Sequence, residues 1–244
     1  MPGWANRLEN QRREAESAWD MVLYSSSELC FTAWVPYRQP LRVAERHAAV
    51  RERLVVEATG IVATAGWAGA TVAAVATATG ISTGAVYQHF PSRGALDAEV
   101  FRRATQREIE LLATVLAGPS PERAADRLTQ GVELFAQRAL RGKRLAYALI
   151  AEPADPLVLT ERLAYRRRYL EVFAELVEEG VRVGEMVPQD VRVTAAALTG
   201  GVAEVLVGQL SAPVSGAAAR RLVAELSALA RRCAGVRALT LETS

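Results

Sequence analysis

The sequence predicts an all-α protein, and three observations support that fold class. Alanine is abundant in a chain that is 50% hydrophobic, and aromatic residues make up only 6%. Runs of β-branched or aromatic residues bounded by turn signals are scarce, so few segments favour strands. Glycine and proline divide the chain into pieces of helical length. We therefore expect a series of helices that pack through their apolar faces.

Composition limits the class of protein. The 29 basic and 27 acidic residues nearly cancel, so the net charge of +2 says little about partners. Cys30 and Cys233 are far apart in the chain, which indicates free thiols in a reduced compartment. The first residues lack the apolar core of a secretory signal, and we find no apolar run long enough to cross a bilayer. We expect a cytoplasmic protein with no membrane partner.

Three regions are predicted along the chain. Residues 1–44 form an extension with an amphipathic helix and a connector, residues 45–108 a compact first domain, and residues 109–244 a larger helical domain. The clearest boundary is the GPSP segment at 118–121. Because the extension carries five basic and five acidic residues, it is not a basic arm. A wrongly chosen start codon is an alternative explanation for it, with Met21 or a later residue as the true beginning.

The first domain contains four predicted helices. The first runs from Val43 to the glycines at 66 and 69. Thr71 caps the second, VAAVATAT, and Gly80 ends it. Ser82 caps a short third helix, and a fourth runs from Ala95 to about Leu116. Two short helices joined at a glycine form the corner of a helix-turn-helix, here residues 71–90.

Acidic residues are missing from the region around this corner. Between Ala58 and Leu96 the only formal charge is Arg93. Two explanations remain open: the stretch is buried, or its outward side lies against a polyanion that carboxylates would repel. The residues on the outward side of the third helix are small, polar or aromatic, which favours entry into a DNA major groove. Helix-turn-helix corners also occur in bundles that bind no DNA.

The outward residues have chemistry suited to double-stranded DNA. Thr83 and Gln88 can read base edges, while Gly84 and Ala85 allow close approach of the helix. The other candidate contacts are Ser82, which also caps the third helix, and side chains suited to phosphate oxygens, which set the register of the protein on DNA. They are Thr71, Ser82, Tyr87, His89 and Arg93.

The segment from Ala49 to Glu108 resembles the DNA-binding domain of TetR-family transcriptional regulators. The resemblance is carried by TVAAVATATGISTGAVYQHFPSRGAL, in which glycine, isoleucine and serine precede Gly84, Tyr87, His89 and Phe90. It covers about a quarter of the chain. It implies an N-terminal three-helix helix-turn-helix domain joined to a C-terminal effector-binding and dimerisation domain, and it assigns the candidate residues to DNA-contacting positions. Arg93 stands where lysine is more usual, and either residue can hold a phosphate.

The second domain has two helices suited to joining subunits. The helix TAAALTGGVAEVLVGQL carries Ala197, Gly200, Gly201 and Gly208, which let another helix approach closely. The last helix has Leu222, Leu226, Leu229 and Cys233 on one side. Two such helices from each subunit would form a four-helix interface, and a homodimer could read a palindromic operator. The alternative is that both helices pack only within their own subunit.

A candidate effector site lies in the middle of this domain. Aromatic residues at 147, 165 and 169 could line an apolar cavity, beside the cations of ERLAYRRRYLEVF. The sharper hypothesis is an anionic, long-tailed small molecule such as an acyl-CoA. The simpler one is a solvated, salt-bridged surface. The candidate residues are Tyr147, Arg162, Tyr165, Arg166 and Tyr169.

The sequence favours a regulator over an enzyme. Its two histidines stand in no cluster with cysteine or carboxylate, and we find no nucleophile with its base and no glycine-rich phosphate loop. We therefore expect no catalytic residues, no metal and no cofactor. The leading hypothesis is a dimeric repressor released from its operator by a small-molecule effector. The alternatives are a transcriptional activator of the same fold and a helical adaptor without DNA binding.

Overall fold

A computed structural model describes residues 41–116, 122–210 and 215–237. Over these ranges the chain forms helices and one isolated antiparallel bridge, so the all-α prediction is confirmed. The predicted extension lies almost wholly outside the described residues, as do Cys30 and the GPSP segment. The helices are α1 (Leu41–Gly69), α2 (Val72–Thr79), α3 (Thr83–His89), α4 (Arg93–Leu116), α5 (Ala124–Arg141), α6 (Lys143–Ile150), α7 (Pro156–Arg182), α8 (Val191–Leu210) and α9 (Gly216–Cys233).

Local capping fixes the ends of α2 and α3. The Thr71 hydroxyl accepts a hydrogen bond from the Ala74 amide, and the Ser82 hydroxyl accepts one from Ala85, each at 3.1 Å. Each bond satisfies an amide that has no partner within its helix. Gly80 ends α2 in the left-handed conformation, with φ of 70°. The three caps agree with the sequence prediction.

A kink near the end of α1 directs Trp67 into the protein. Gly66 has φ of 69° and ψ of −171°, which interrupts the helical backbone. The Trp67 side chain is buried, and its indole N–H donates to the Ala148 carbonyl oxygen at 2.8 Å. The end of α1 is thereby joined to α6.

Two hydrophobic clusters form the core. One contains the inward residues of α1, α2 and α3 and the first half of α4, including Leu54, Val86, Phe90 and Leu96. It also takes in Tyr165 of α7, so the first three helices share their core with the second domain. The other cluster joins the end of α4 to α5, α7, α8 and α9.

A buried arginine connects three helices of the second cluster. The Arg127 side chain on α5 donates to the Leu116 carbonyl oxygen at 3.0 Å. Its guanidinium also lies 2.6 Å from the Glu179 carboxylate of α7. A buried charge is tolerated when it is paired and hydrogen-bonded, so Arg127 fixes the end of α4 against α5 and α7.

Helix α8 corrects one prediction from the sequence. Val191–Leu210 is long and apolar enough to cross a membrane by length and composition, although we expected no such run. Only Arg192 and Glu204 are charged within this helix. About a third of the window is buried, through residues such as Leu198, Val202 and Leu206. A helix that packs one side against a protein core has this degree of burial.

Candidate nucleic-acid interface and ligand cavity

The outward face of α3 is exposed and uncharged. Thr83, Gly84 and Gln88 are exposed, and Tyr87 retains 52% of its accessible surface. Val86 and Phe90 are buried on the opposite side, as the sequence predicted, while Ala85 is half-buried. Because α2 and α3 contain no carboxylate, this face can approach phosphates without repulsion.

The cap residues remain available for a second contact. Thr71 and Ser82 are both exposed, and their oxygens accept from backbone amides. A hydroxyl that accepts in this way still has its own O–H to donate. Each cap can therefore hold a helix start and also donate to a phosphate oxygen.

Two arginines of α1 hold the far ends of these helices, which the sequence did not indicate. Arg53 donates to the Thr79 carbonyl oxygen at 2.7 Å, and Arg51 donates to that of His89 at the same distance. Cations at helix C-termini satisfy carbonyls that lack intrahelical partners and favour the helix dipole. The two arginines lie two residues apart on α1, so one short segment of that helix positions both α2 and α3.

His89 is a half-buried member of the predicted contact set. Its ring centroid lies 4.2 Å from that of His47. Burial lowers the pKa of His89, and the nearby His47 and Arg51 lower it further. Its Nδ1 is buried and has no hydrogen-bond partner among the described residues. The imidazole is therefore disposed to be neutral in the free protein.

Arg93 takes part in an internal contact at the start of α4. Its guanidinium donates to the Trp67 carbonyl oxygen, and its Nε lies 3.4 Å from the Asp97 carboxylate. The side chain is still 43% exposed, so part of its guanidinium faces solvent. A guanidinium has five N–H donors, and these contacts leave some of them for a phosphate.

A buried carboxylate lies beside this arginine. The Asp97 side chain is 4% exposed, and burial raises its pKa to about 6 despite the opposing effect of Arg93. Asp155 also raises the pKa of Asp97. Gly94 packs so closely on the Asp155 carboxylate that an added Cβ would lie 2.5 Å from Oδ1. The start of α4 thus meets the start of α7 at a group of two carboxylates and one guanidinium.

A cavity of about 740 Å³ opens between α1 and the helices from α4 to α8. Its apolar wall comes from α4, α5, α7 and α8. The ring centroids of Phe135 and Tyr169 in this wall are 5.9 Å apart, edge to face. Apolar lining residues include Leu112, Val132, Phe135, Phe173, Leu198 and Val202.

Charged groups line the same cavity. Arg138 and Glu108 form a two-pronged ion pair with N–O distances of 2.7 and 2.5 Å. Exposed arginines line the opening, and among the described residues Arg107, Arg141 and Arg166 have no ion pair within 4 Å. Burial and the Glu108 carboxylate raise the pKa of Tyr169, so its hydroxyl stays protonated as a hydrogen-bond donor. The cavity combines an apolar interior with a basic opening.

Four of the five predicted effector residues line this cavity: Arg162, Tyr165, Arg166 and Tyr169. Tyr147 does not line it, and packs against the second hydrophobic cluster with the Arg144 guanidinium 5.9 Å from its ring centroid. The Tyr165 hydroxyl is 3.0 Å from the Arg102 carbonyl oxygen, which holds this ring in place. The structure thus places four of the five candidate residues on the wall of one cavity, and their role in binding an effector stays a prediction.

Comparison with known proteins finds a family match in the first domain. Residues 54–100 match the family model described as bacterial regulatory proteins, tetR family. This segment begins on α1 and contains α2, α3 and the first part of α4. A comparison with curated proteins found no match.

Solved structures with the same fold cover most of the described chain. FadR from Bacillus subtilis in complex with stearoyl-CoA is 16% identical, covers 76% of this chain and 99% of its own, and has a TM-score of 0.62. A putative transcriptional regulator from Saccharomonospora viridis in complex with choline is 19% identical, with coverage of 75% and 95% and a TM-score of 0.64. A tetR-family regulatory protein from Rhodococcus RHA1 is 21% identical, with coverage of 78% and 98% and a TM-score of 0.61. Both the helix-turn-helix domain and the helical second domain have counterparts in these proteins.

Proposed function

We propose that this chain, which carries the DNA-binding domain and the fold of TetR-family regulators, is a dimeric repressor released from a palindromic operator by a small-molecule effector. The observation that carries the proposal is the exposed, carboxylate-free face of α3 in a segment that matches the family. Direct base readout requires such a helix to enter the major groove with polar side chains on its outward face.

The DNA contacts divide by chemistry. We assign Thr83, Gly84, Ala85 and Gln88 to base edges, because a hydroxyl, two small residues and an amide suit close approach and adenine recognition. Phosphates take hydroxyl, imidazole and guanidinium donors, which fix the register of the protein on the duplex. The residues that we assign to phosphates are Thr71, Ser82, Tyr87, His89 and Arg93.

Dimerisation through α8 and α9 is supported by the apolar surface that these helices leave exposed. Val193 is 66% exposed and Leu229 is 38% exposed. A Cβ added at Gly200 or Gly201 would meet nothing within 4 Å among the described residues, so packing inside the subunit does not require these glycines. Small residues beside exposed apolar ones suit close packing of helices across a two-fold axis.

The effector we propose is an amphipathic anion with a long apolar part, such as an acyl-CoA. The apolar wall of the cavity suits the tail, and the arginines at its opening suit phosphates or a carboxylate. The stearoyl-CoA bound by the Bacillus subtilis protein shows that this fold can hold such a ligand.

The experiment that tests the function begins with selection of genomic DNA fragments by the purified full-length chain. We expect a footprint of two half-sites whose centres are one helical turn, about 34 Å, or a multiple of it apart. Stearoyl-CoA, stearate and choline are then titrated into the complex, and we expect stearoyl-CoA to release the DNA. Retention of a selected site in the presence of each compound would contradict the effector assignment alone, whereas absence of any DNA binding at low salt would favour the adaptor hypothesis.

A further inference from the structure

One backbone oxygen joins the cavity to the DNA-binding domain. The carbonyl oxygen of Ala148 accepts the indole N–H of Trp67 at 2.8 Å and Nη2 of Arg162 at 3.1 Å. Trp67 lies at the end of α1, whereas Arg162 lies on α7 and lines the cavity. Ala148 itself is buried in the last turn of α6, so water does not reach this connection freely.

Arg162 uses its side chain to close the end of α6. Besides Ala148, its Nε donates to the Leu149 carbonyl oxygen and its Nη2 to that of Glu152, both at 2.9 Å. These carbonyls belong to the end of a helix and its exit, where intrahelical partners are lacking. Removal of the guanidinium would leave the Leu149 and Glu152 carbonyl oxygens without this donor in a half-buried place, which costs free energy.

The exit of α6 also holds the backbone amide of Trp67. The Glu152 carboxylate accepts from the Trp67 amide at 3.3 Å, while it pairs with Arg144 at 2.6 Å. The Trp67 carbonyl oxygen accepts from Arg93, which lies four residues after the last residue of α3. A displacement of the end of α6 therefore acts on Trp67 and, through it, on the start of α4.

We propose that Arg162 is a positioning residue that couples the cavity to the DNA-binding domain through the Ala148 carbonyl. The inference rests on the proposed function, because it assigns a regulatory role within that site. An anionic group in the cavity draws the guanidinium away from α6, the end of α6 loosens, and Trp67 and Arg93 take up a second arrangement. Such a ligand shifts a population between two states by binding them with different affinity.

Amide hydrogen exchange on the free full-length chain tests the coupling without DNA or effector. We compare Arg162→Gln with Arg166→Gln, which removes the same charge from the same helix and the same cavity. We expect Arg162→Gln to speed exchange roughly tenfold in 145–152 and also in 62–70 and 93–98, because these segments open together. Arg166→Gln should leave all three segments unchanged. A change confined to 145–152, no change, or an equal effect of Arg166→Gln would overturn the proposal.

Two milder substitutions test the same coupling if Arg162→Gln fails to fold. Trp67→Phe removes the indole N–H and retains an aromatic ring. Arg162→Lys retains the positive charge but removes the guanidinium that donates to several carbonyl oxygens. The stabilities of both variants and of the double variant, from urea denaturation, form a double-mutant cycle. Non-additivity supports the coupling and additivity contradicts it. Because neither measurement uses DNA, failure to bind DNA would count against the proposed function and leave the result on Arg162 intact.

Discussion

The Arg51 guanidinium lies over the ring of Phe90, 4.1 Å from the ring centroid. The same group donates to the His89 carbonyl oxygen at the end of α3. Phe90 is buried in the core of the helix-turn-helix domain, so Arg51 joins that core to the end of α3. The arrangement combines a cation–π contact with a helix C-cap.

Replacement of Arg51 should weaken both folding and DNA binding. We expect Arg51→Ala to lower the free energy of unfolding by about 1–2 kcal/mol, through loss of the hydrogen bond and the ring contact. DNA affinity should fall as well, because the end of α3 is no longer fixed. Urea denaturation and fluorescence anisotropy with the selected site measure the two effects. Arg46→Ala, an exposed arginine earlier on α1, is the control, and equal losses in both variants would refute the special role of Arg51.

The salt dependence of DNA binding should separate two kinds of phosphate contact. We expect Arg93→Gln to reduce the slope of log K against log salt by about one, because a cation releases counterions from a phosphate. Tyr87→Phe should lower affinity with an unchanged slope, because the lost hydroxyl is neutral. Arg93→Gln should also destabilise the fold, since Arg93 holds Trp67. An unchanged slope for Arg93→Gln would show that this side chain serves the fold alone.

Stability should depend on pH through Asp97. Its folded-state pKa of about 6 lies above the ordinary aspartate pKa of 3.8, so the folded protein binds the proton more tightly than the unfolded chain. The resulting stabilisation is complete below about pH 4 and is lost as the pH rises to about 6. A shift of this size corresponds to about 3 kcal/mol.

Asp97→Asn tests this dependence. We expect the variant to be more stable than the wild type at pH 7, with the difference disappearing towards pH 4, in urea denaturation across that range. Asp126→Asn is the matched control, because Asp126 is exposed and 3.6 Å from Arg231. The assignment is wrong if the two variants show the same pH profile.

Two glycines of α1 should respond in opposite ways to alanine. Gly66 has a left-handed φ, and an added Cβ would lie 1.6 Å from Nη2 of Arg144. Gly60 has an ordinary helical φ and open space around its Cβ position. We expect Gly66→Ala to destabilise the protein by at least about 1–2 kcal/mol and Gly60→Ala to stabilise it by about 0.5–1 kcal/mol. Thermal unfolding measures both, and a stable Gly66→Ala protein would contradict the tight contact with the Arg144–Glu152 pair.

A charge on the exposed face of α8 should separate the subunits. We expect Val193→Glu to give monomers in analytical ultracentrifugation and to weaken binding to a site with two half-sites. Val183→Glu is the control, because Val183 is 50% exposed at the end of α7, outside α8 and α9. If Val193→Glu remained dimeric at micromolar concentration, the interface would lie elsewhere than on this face of α8.

Local signals in the sequence predicted most helix ends because capping acts over a few residues. The residue types at positions 71, 80 and 82 predict helix caps there, and the structure has the caps at those positions. The inward positions of α4, such as Leu96 and Val100, followed from helical periodicity.

Contacts distant in sequence could not be predicted in this way. Trp67 and Glu152 are 85 residues apart, and nothing in the pattern around either residue selects the other. Arg162 was expected to serve a ligand or the solvent, because a charge run does not reveal that one of its members closes the end of another helix. The cavity likewise depends on how six helices pack, which periodicity does not determine.

The residues that hold α3 in place are separate from those on its outward face, and this separation has an evolutionary consequence. Val86 and Phe90 hold this helix in the core, and Arg51 and Ser82 hold its two ends. Its outward positions 83, 84, 87 and 88 are exposed. Under the proposed function, mutations at positions 83, 84 and 88, which we assign to base edges, alter operator preference at little cost in stability. If the proposed function holds, a duplicated gene could therefore acquire a new set of target promoters while it keeps its scaffold and the cavity proposed to bind the effector.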